Sequence, residues 1–271
     1  MMNKLTHDQI RQKVRSRYQQ VAVQQAEAPT SCCSAESSNS CYDGPTDYNA
    51  ISARLGYSND ELSAVPEGAN LGLGCGNPQA IAELKPGETV LDLGSGGGFD
   101  CFLASRQVGD SGKVIGVDMT PEMISRARNN AEKGRFTNTE FRLGEIEHLP
   151  LADQSVDVII SNCVINLSPD KQQVFHEAFR VLRPGGRIAV SDVVATAEFP
   201  PEITNNIDEL YTGCISGASP IMNLESMLRQ SGFTDISIEP KDESRSFIKD
   251  WVPGANMQDY LVSAVITATK K

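Results

Sequence analysis

Val90-Leu91-Asp92-Leu93-Gly94-Ser95-Gly96-Gly97-Gly98 is the stretch on which the fold turns. Val90, Leu91 and Leu93 give the near-continuous apolar run of a strand buried on both faces. Gly94, Gly96 and Gly98 then supply the positive φ of a tight turn and let backbone come close to a ligand. From Phe99 to Val108 the apolar residues return at helical spacing. Strand, glycine loop and helix in that order make a nucleotide-type site, although a Gly-x-Gly-x-Gly by itself also marks ordinary loops. A second β-like run, 113–117, ends in Asp118, where the first βαβ unit of a Rossmann-type site sets its ribose-binding carboxylate. A solvated turn aspartate is the alternative for Asp118. Loop, spacing and acid together favour the ribose ligand.

Outward from this centre, strands and helices alternate. Strands are predicted at 90–93, 114–117, 140–143, 156–161 and 187–194, with helices between them at 99–108, 121–133 and 170–182. That order predicts an α/β protein built on a Rossmann-like, doubly wound, mostly parallel sheet. Pro121 opens a helix and Gly134 closes it. At the N-terminus, residues 6–25 read as a helix, with Thr6 and Gln9 in capping-box spacing and Ile10, Val14, Tyr18 and Val21 on one stripe. It is expected to pack on the main domain as a cover, or to be a plain accessory helix. Residues 26–47 are rich in Ser, Ala, Thr, Asn and Pro and predict a linker carrying Cys32, Cys33 and Cys41. A loosely helical segment, 49–64, precedes the loop Leu71-Gly72-Leu73-Gly74-Cys75-Gly76-Asn77-Pro78, too dense in glycine for helix or strand. After the fifth strand, 199–223 forms an insertion with Cys214, followed by a helix at 224–231 and strands at 235–239 and 260–269. The chain thus divides into 1–66, helix and linker; 67–195, the Rossmann-like domain; and 196–271, an extension completing the sheet and the site.

With 271 residues the chain can bury one large core, or one core plus a smaller unit. Its 24 basic and 35 acidic side chains leave a net charge of −11. Such a surface argues against nucleic acid and anionic membranes as partners, since both require basic patches that displace counterions. Neither a signal peptide nor a membrane span is expected, and a cytoplasmic location follows. Seven cysteines, odd in number and irregular in spacing, are then expected to be reduced.

Ligands of open parallel sheets sit outside the carboxyl ends of the strands where strand order reverses. If the first and fourth strands meet there, Asn162-Cys163 faces the glycine loop, while Cys75 and Cys214 lie on loops able to reach over the same crevice. A lone cysteine is more often an inert buried side chain, and Cys101 is read that way. Cys75, between glycines, and Cys214, after Thr212-Gly213, are expected to be exposed, which leaves a thiolate trio and incidental cysteines about equally supported. Zinc is a rival occupant without the usual Cys-x-x-Cys spacing. His7, His148 and His176 show no ligand spacing. Glu145 and Ile146 follow the third strand, where a carboxylate can accept from an adenine amine and an apolar side chain can cover the ring; a simple turn is the alternative.

Asp92-Leu93-Gly94-Ser95-Gly96-Gly97-Gly98, Asp118 and Leu182-Arg183-Pro184-Gly185-Gly186 resemble the successive motifs of class I S-adenosylmethionine-dependent methyltransferases. Ser161-Asn162-Cys163-Val164-Ile165-Asn166-Leu167, the loop ending in Cys75-Gly76, Gly116-Val117-Asp118-Met119-Thr120-Pro121 and Gly213-Cys214 resemble, more specifically, arsenite methyltransferases. The resemblance implies that Asp92, Gly94, Ser95, Gly96, Gly98, Asp118, Met119, Glu145, Ile146 and Asn162 bind S-adenosylmethionine. It implies that Cys75, Cys163 and Cys214 bind arsenite or its thiol conjugates, and that an N-terminal cysteine, Cys41 or one of Cys32 and Cys33, exchanges disulfides. Thioredoxin or glutathione is the implied reductant, and a monomer the implied state. Two other functions remain open on the sequence: methylation of a small organic acceptor such as a quinone precursor, and non-catalytic sequestration of thiophilic ions.

Overall fold

The computed structural model describes residues 5–24, 47–199, 215, 217–251 and 256–271. Helix α1 (His7–Gln24) precedes α2 (Tyr48–Arg54), α3 (Asn59–Ser63) and α4 (Gln79–Ala82). The alternating part then begins with β1 (Thr89–Leu93), α5 (Phe99–Val108), β2 (Lys113–Asp118), α6 (Pro121–Gly134), β3 (Thr139–Leu143) and β4 (Val156–Asn162). Next come α7 (Lys171–Val181), β5 (Leu182–Ala195), β6 (Ser219–Pro220) and α8 (Ile221–Gln230). The chain closes with β7 (Thr234–Lys241), α9 (Arg245–Ile248) and β8 (Leu261–Thr269).

The strands form one sheet in the order β3-β2-β1-β4-β5-β8-β7, with β6 paired to β5 beside this path. Strands β1 to β5 run parallel, while β8 is antiparallel to both β5 and β7. The first and fourth strands are therefore neighbours, with Leu93 opposite Ser161, and strand order reverses between them as anticipated.

Alternation of side chains across β1 explains why Val90, Leu91 and Leu93 are all apolar. Val90 packs with Phe102, Val108, Ile124 and Ala127 on the face covered by α5 and α6. Leu91 and Leu93 pack on the opposite face with Val174, Phe175, Leu224 and Leu228 of α7 and α8. Phe102 is fully buried, its ring 4.6 Å from that of Phe136 and 5.8 Å from that of Phe141. Phe102→Ala should cost about 3–5 kcal/mol of stability, read from denaturant melts; a loss below about 1 kcal/mol would mean that this layer is not tightly packed.

Of the element boundaries that differ from expectation, two have a clear physical cause. Strand β5 starts at Leu182 rather than 187, because Leu182 pairs with Val156 before the register shifts ahead of Val158 and Arg187. Helix α6 includes Gly134 and turns at Arg135, whose φ is +57°. Gly134 is there for closeness: a Cβ would meet Phe136 at 2.6 Å and Pro66 at 2.7 Å.

Candidate active site

The carboxyl ends of β1, β2 and β4 open onto one pocket, whose wall includes Asp92, Gly94, Ser95, Gly96, Asp118, Met119, Ile146, Asn162 and Cys163. The glycine loop is held from β2. Gly94 N–H donates to the Val117 carbonyl at 2.8 Å, and Gly96 N–H donates to Asp118 Oδ2 at 3.0 Å. The other Asp118 oxygen accepts from Thr120 N–H at 2.8 Å. Gly98, with φ of +92°, caps α5 rather than lining the pocket, and a Cβ there would meet Phe102 at 2.8 Å. Ser95 Oγ is buried in the pocket wall without a hydrogen-bond partner among the described residues, which suits a ligand carrying hydroxyl or amine groups.

Helix α1 covers this pocket, as its apolar stripe suggested, with Arg11, Val14 and Tyr18 in the lining. It is tied down by charge. Arg11 Nε lies 3.3 Å from Glu147 and 3.4 Å from Glu145, and Arg15 lies 3.1 Å from Glu145. Glu145 consequently turns toward the helix and is not part of the lining, whereas Glu147, two residues on, is. Ser168 Oγ also donates to Glu147 at 2.7 Å.

Two buried aspartates, Asp92 and Asp100, and the half-buried Asp118 give the pocket its electrostatic character. Burial pushes the Asp100 carboxyl up to about 6, against the hydrogen bond from Tyr57 at 2.8 Å. Burial, with Asp100 nearby, holds Asp92 well above the usual carboxylate range. Asp118 is raised by burial too, opposed by the N–H groups of Thr120 and Gly96. A cation in this pocket is favoured by the ionised carboxylates, so its affinity should be highest above pH 6 and fall as pH is lowered through about 6. Calorimetry with S-adenosylmethionine from pH 5 to 8 would check this: Asp100→Asn should flatten the profile, and a profile already flat in the parent protein would contradict it.

Beside the glycine loop, two sulfurs from distant parts of the chain meet. Cys75 and Cys163, 88 residues apart in sequence, have Cα atoms 5.8 Å apart and are joined as a disulfide. Two loops converge on β5 to bring these sulfurs together. Cys163 N–H donates to the Ser191 carbonyl at 2.8 Å, and Cys75 Sγ lies 3.5 Å from the same oxygen. Cys163 takes φ of +58°, an uncommon conformation for a non-glycine residue. Its neighbour Val164 lies over Gly94, where a Cβ would meet Val164 Cγ2 at 2.4 Å. Cys75 was expected to be exposed and is 2% exposed. Glycine flanks have the opposite effect here: a Cβ on Gly74 would come within 2.8 Å of the Asn162 amide, and one on Gly76 within 2.9 Å of Ser191 Oγ.

A carboxylate oxygen of Asp192 completes this group, all three ligand atoms lying within 4.8 Å of one another. Asn166 holds that carboxylate, through Nδ2 at 2.8 Å and backbone N–H at 3.2 Å. Cys101 stands apart, buried in α5, its thiol donating to Asp92 Oδ2 at 3.3 Å. Cys32, Cys33, Cys41 and Cys214 lie outside the described residues. No described helix is long and apolar enough to cross a membrane.

A family model described as a methyltransferase domain matches residues 84–243. An arsenite methyltransferase of Halobacterium salinarum is 53% identical over 268 residues, spanning 97% of this chain and 67% of its own length. The chain belongs to the arsenite methyltransferase family. A second family member, from Aquipseudomonas alcaligenes, is 47% identical over 169 residues, 60% of this chain and 48% of that protein, so the chain spans about half of it. Among solved structures, an arsenic(III) S-adenosylmethionine methyltransferase from Chlamydomonas reinhardtii superposes with a TM-score of 0.62 at 33% identity, covering 84% of this chain and 75% of that one. The mostly parallel sheet of this chain agrees with the class I methyltransferase fold of these relatives.

Several residues of this site had no signal strong enough to single them out. Asp192 interrupts the apolar run from Ile188 to Val194, and a charged residue inside a buried strand is the mark that points to it. Asp100, in the first turn of the helix after the glycine loop, carries a similar mark. Tyr57 carries none, being one aromatic among short irregular helices.

Proposed function

We propose that this enzyme methylates arsenite on a thiolate cradle formed by Cys75, Cys163 and Cys214, as a step in arsenic detoxification. The observation that carries this reading is the meeting of Cys75 with Cys163 across 88 residues of sequence, Cys163 standing in the pocket wall with the glycine loop. The reduced pair is the form that takes the substrate. Each thiol replaces one hydroxide of arsenite, its proton leaving with that hydroxide as water, and soft sulfur suits trivalent arsenic better than oxygen does. Bound S-adenosylmethionine supplies an electrophilic methyl on a positively charged sulfur. Asp92, Asp118 and Glu147, together with the loop 94–97, orient the donor from the strand ends, and α1 keeps water out.

Arsenic gives both electrons of the new bond to carbon as the methyl–sulfonium bond breaks, its electron pair going to sulfur and S-adenosylhomocysteine leaving, and arsenic passes formally from trivalent to pentavalent. Two cysteine thiolates return two electrons and become a disulfide, of which the Cys75–Cys163 bond is one candidate, Cys41 or its neighbours Cys32 and Cys33 being further participants. Thioredoxin or glutathione then reduces that disulfide by thiol exchange. The acidic net charge of −11 agrees with a cytoplasmic enzyme that has small-molecule and thioredoxin partners rather than nucleic acid or membrane. Protein incubated with arsenite, S-adenosylmethionine and a thiol reductant should yield methylated arsenicals by chromatography with elemental detection. Unchanged arsenite would reject the proposal.

A further inference from the structure

The arsenic site is more than its sulfurs, because something must hold the loop that brings Cys75 to Cys163. Cys75 N–H donates to Asn162 Oδ1 at 3.0 Å. The two hydrogens of Asn162 Nδ2 go to the Gly76 carbonyl at 2.7 Å and to Tyr57 Oη at 3.0 Å. Ser263 Oγ donates to the Cys75 carbonyl at 2.6 Å. The backbone at Cys75 and Gly76 is therefore gripped at three polar groups, two of them by one amide.

The orientation of that amide is set from behind. Tyr57 has a single hydroxyl hydrogen, and Asp100 Oδ1 receives it at 2.8 Å, so the oxygen of Tyr57 can only accept from Asn162. This polarity turns the nitrogen of Asn162 toward Tyr57 and Gly76 and its oxygen toward Cys75. Burial and the neighbouring Asp100 push the tyrosine hydroxyl well above its usual range, so it stays a donor at all working pH. The ring is 4% exposed, set edge-on to Phe99 at 4.9 Å and packed with Leu62 and Leu103, and so cannot swing away cheaply. Asp100, at the far end, belongs to the donor pocket.

We infer that Tyr57 is a positioning residue for the sulfur of Cys75, acting through Asn162 and anchored by Asp100. This rests on Cys75 being an arsenic ligand for its meaning in catalysis, though not for its test. Without the hydroxyl, a buried donor of Asn162 loses its partner, the amide loses its fixed orientation, and the effective concentration of the Cys75 sulfur at Cys163 falls.

The test is the thiol–disulfide equilibrium of Cys75 and Cys163 in a glutathione redox buffer, with no arsenite or donor present. The redox state is trapped by alkylation and read by peptide mass spectrometry. Tyr57→Phe should make disulfide formation about tenfold less favourable, a rise of about 30 mV in potential. Asn162→Ala should shift it in the same direction. Leu62→Ala, which loosens the same apolar cluster without touching the hydroxyl, should lower the melting temperature and leave the equilibrium unmoved. In turnover, Tyr57→Phe should raise the KM for arsenite several-fold more than that for S-adenosylmethionine. An unchanged equilibrium in Tyr57→Phe overturns the inference, and so does a shift confined to Asn162→Ala or one reproduced by Leu62→Ala. A shifted equilibrium in a protein that does not methylate arsenite would reject the proposed arsenic cradle while leaving the positioning role intact.

Discussion

Cys163→Ser should abolish methylation of arsenite while leaving binding of S-adenosylmethionine within about twofold. The two halves of this expectation come from different parts of the site. Donor affinity depends on the loop 94–97, Asp92, Asp118 and the cover of α1. Arsenite affinity depends on chelation, in which each sulfur after the first binds an ion already held in place. Losing one thiol should therefore lower it by about 10²–10⁴ fold. Serine matches cysteine in shape, but its hydroxyl is a hard ligand and is not ionised near neutral pH, so it does not replace the thiolate. Product formation would be followed by chromatography and donor binding by calorimetry. Methylated arsenicals from Cys163→Ser at more than about a tenth of the parent rate would show that this sulfur is not a ligand.

Gly94→Val should damage both halves together. Gly94 has φ of +73°, a region in which a side chain costs about 1–3 kcal/mol. Its Cβ would also fall 2.4 Å from Val164 Cγ2 and 2.6 Å from Val164 Cγ1, and relieving such overpacking costs a further 1–3 kcal/mol or so. Val164 is bonded to Cys163, so the displacement passes directly to a proposed arsenic ligand. Affinity for donor and for arsenite should both fall at least tenfold, with a melting temperature several degrees lower. Gly96→Ala is the contrast: a Cβ there meets nothing within 4 Å, leaving only the backbone strain at φ of +50°. Equal effects of the two substitutions would mean that contact with Val164 does not link the loops.

Much of this architecture was legible without coordinates. Hydrophobic alternation and the glycine loop are local properties, and they located β1, α5, β2, α6 and Asp118 to within a few residues. The switch point was read on the condition that the first and fourth strands are neighbours, and their pairing, Leu93 opposite Ser161, meets that condition and sets Cys163 in the pocket wall. Misplaced boundaries were those set by a distant partner: β5 begins early because Leu182 finds Val156, a pairing across the sheet. Glu145 was placed on the adenine side because it follows β3, yet Arg15, 130 residues earlier in the chain, takes its carboxylate, and Glu147 lines the pocket instead.

The proposed arsenic site divides in the same way. Residue types and motifs in the sequence determined that thiols and a methyl-donor pocket belong to one protein. Tertiary structure alone decided that Cys75 is buried, that its glycine neighbours serve to press the loop onto Asn162 and Ser191, and that Tyr57 and Asp100 stand behind that contact. The reason is physical. Periodicity and turn chemistry act between residues a few positions apart and leave a mark in the chain, whereas a hydrogen bond between Asn162 and Tyr57 exists only once the sheet has brought their segments together.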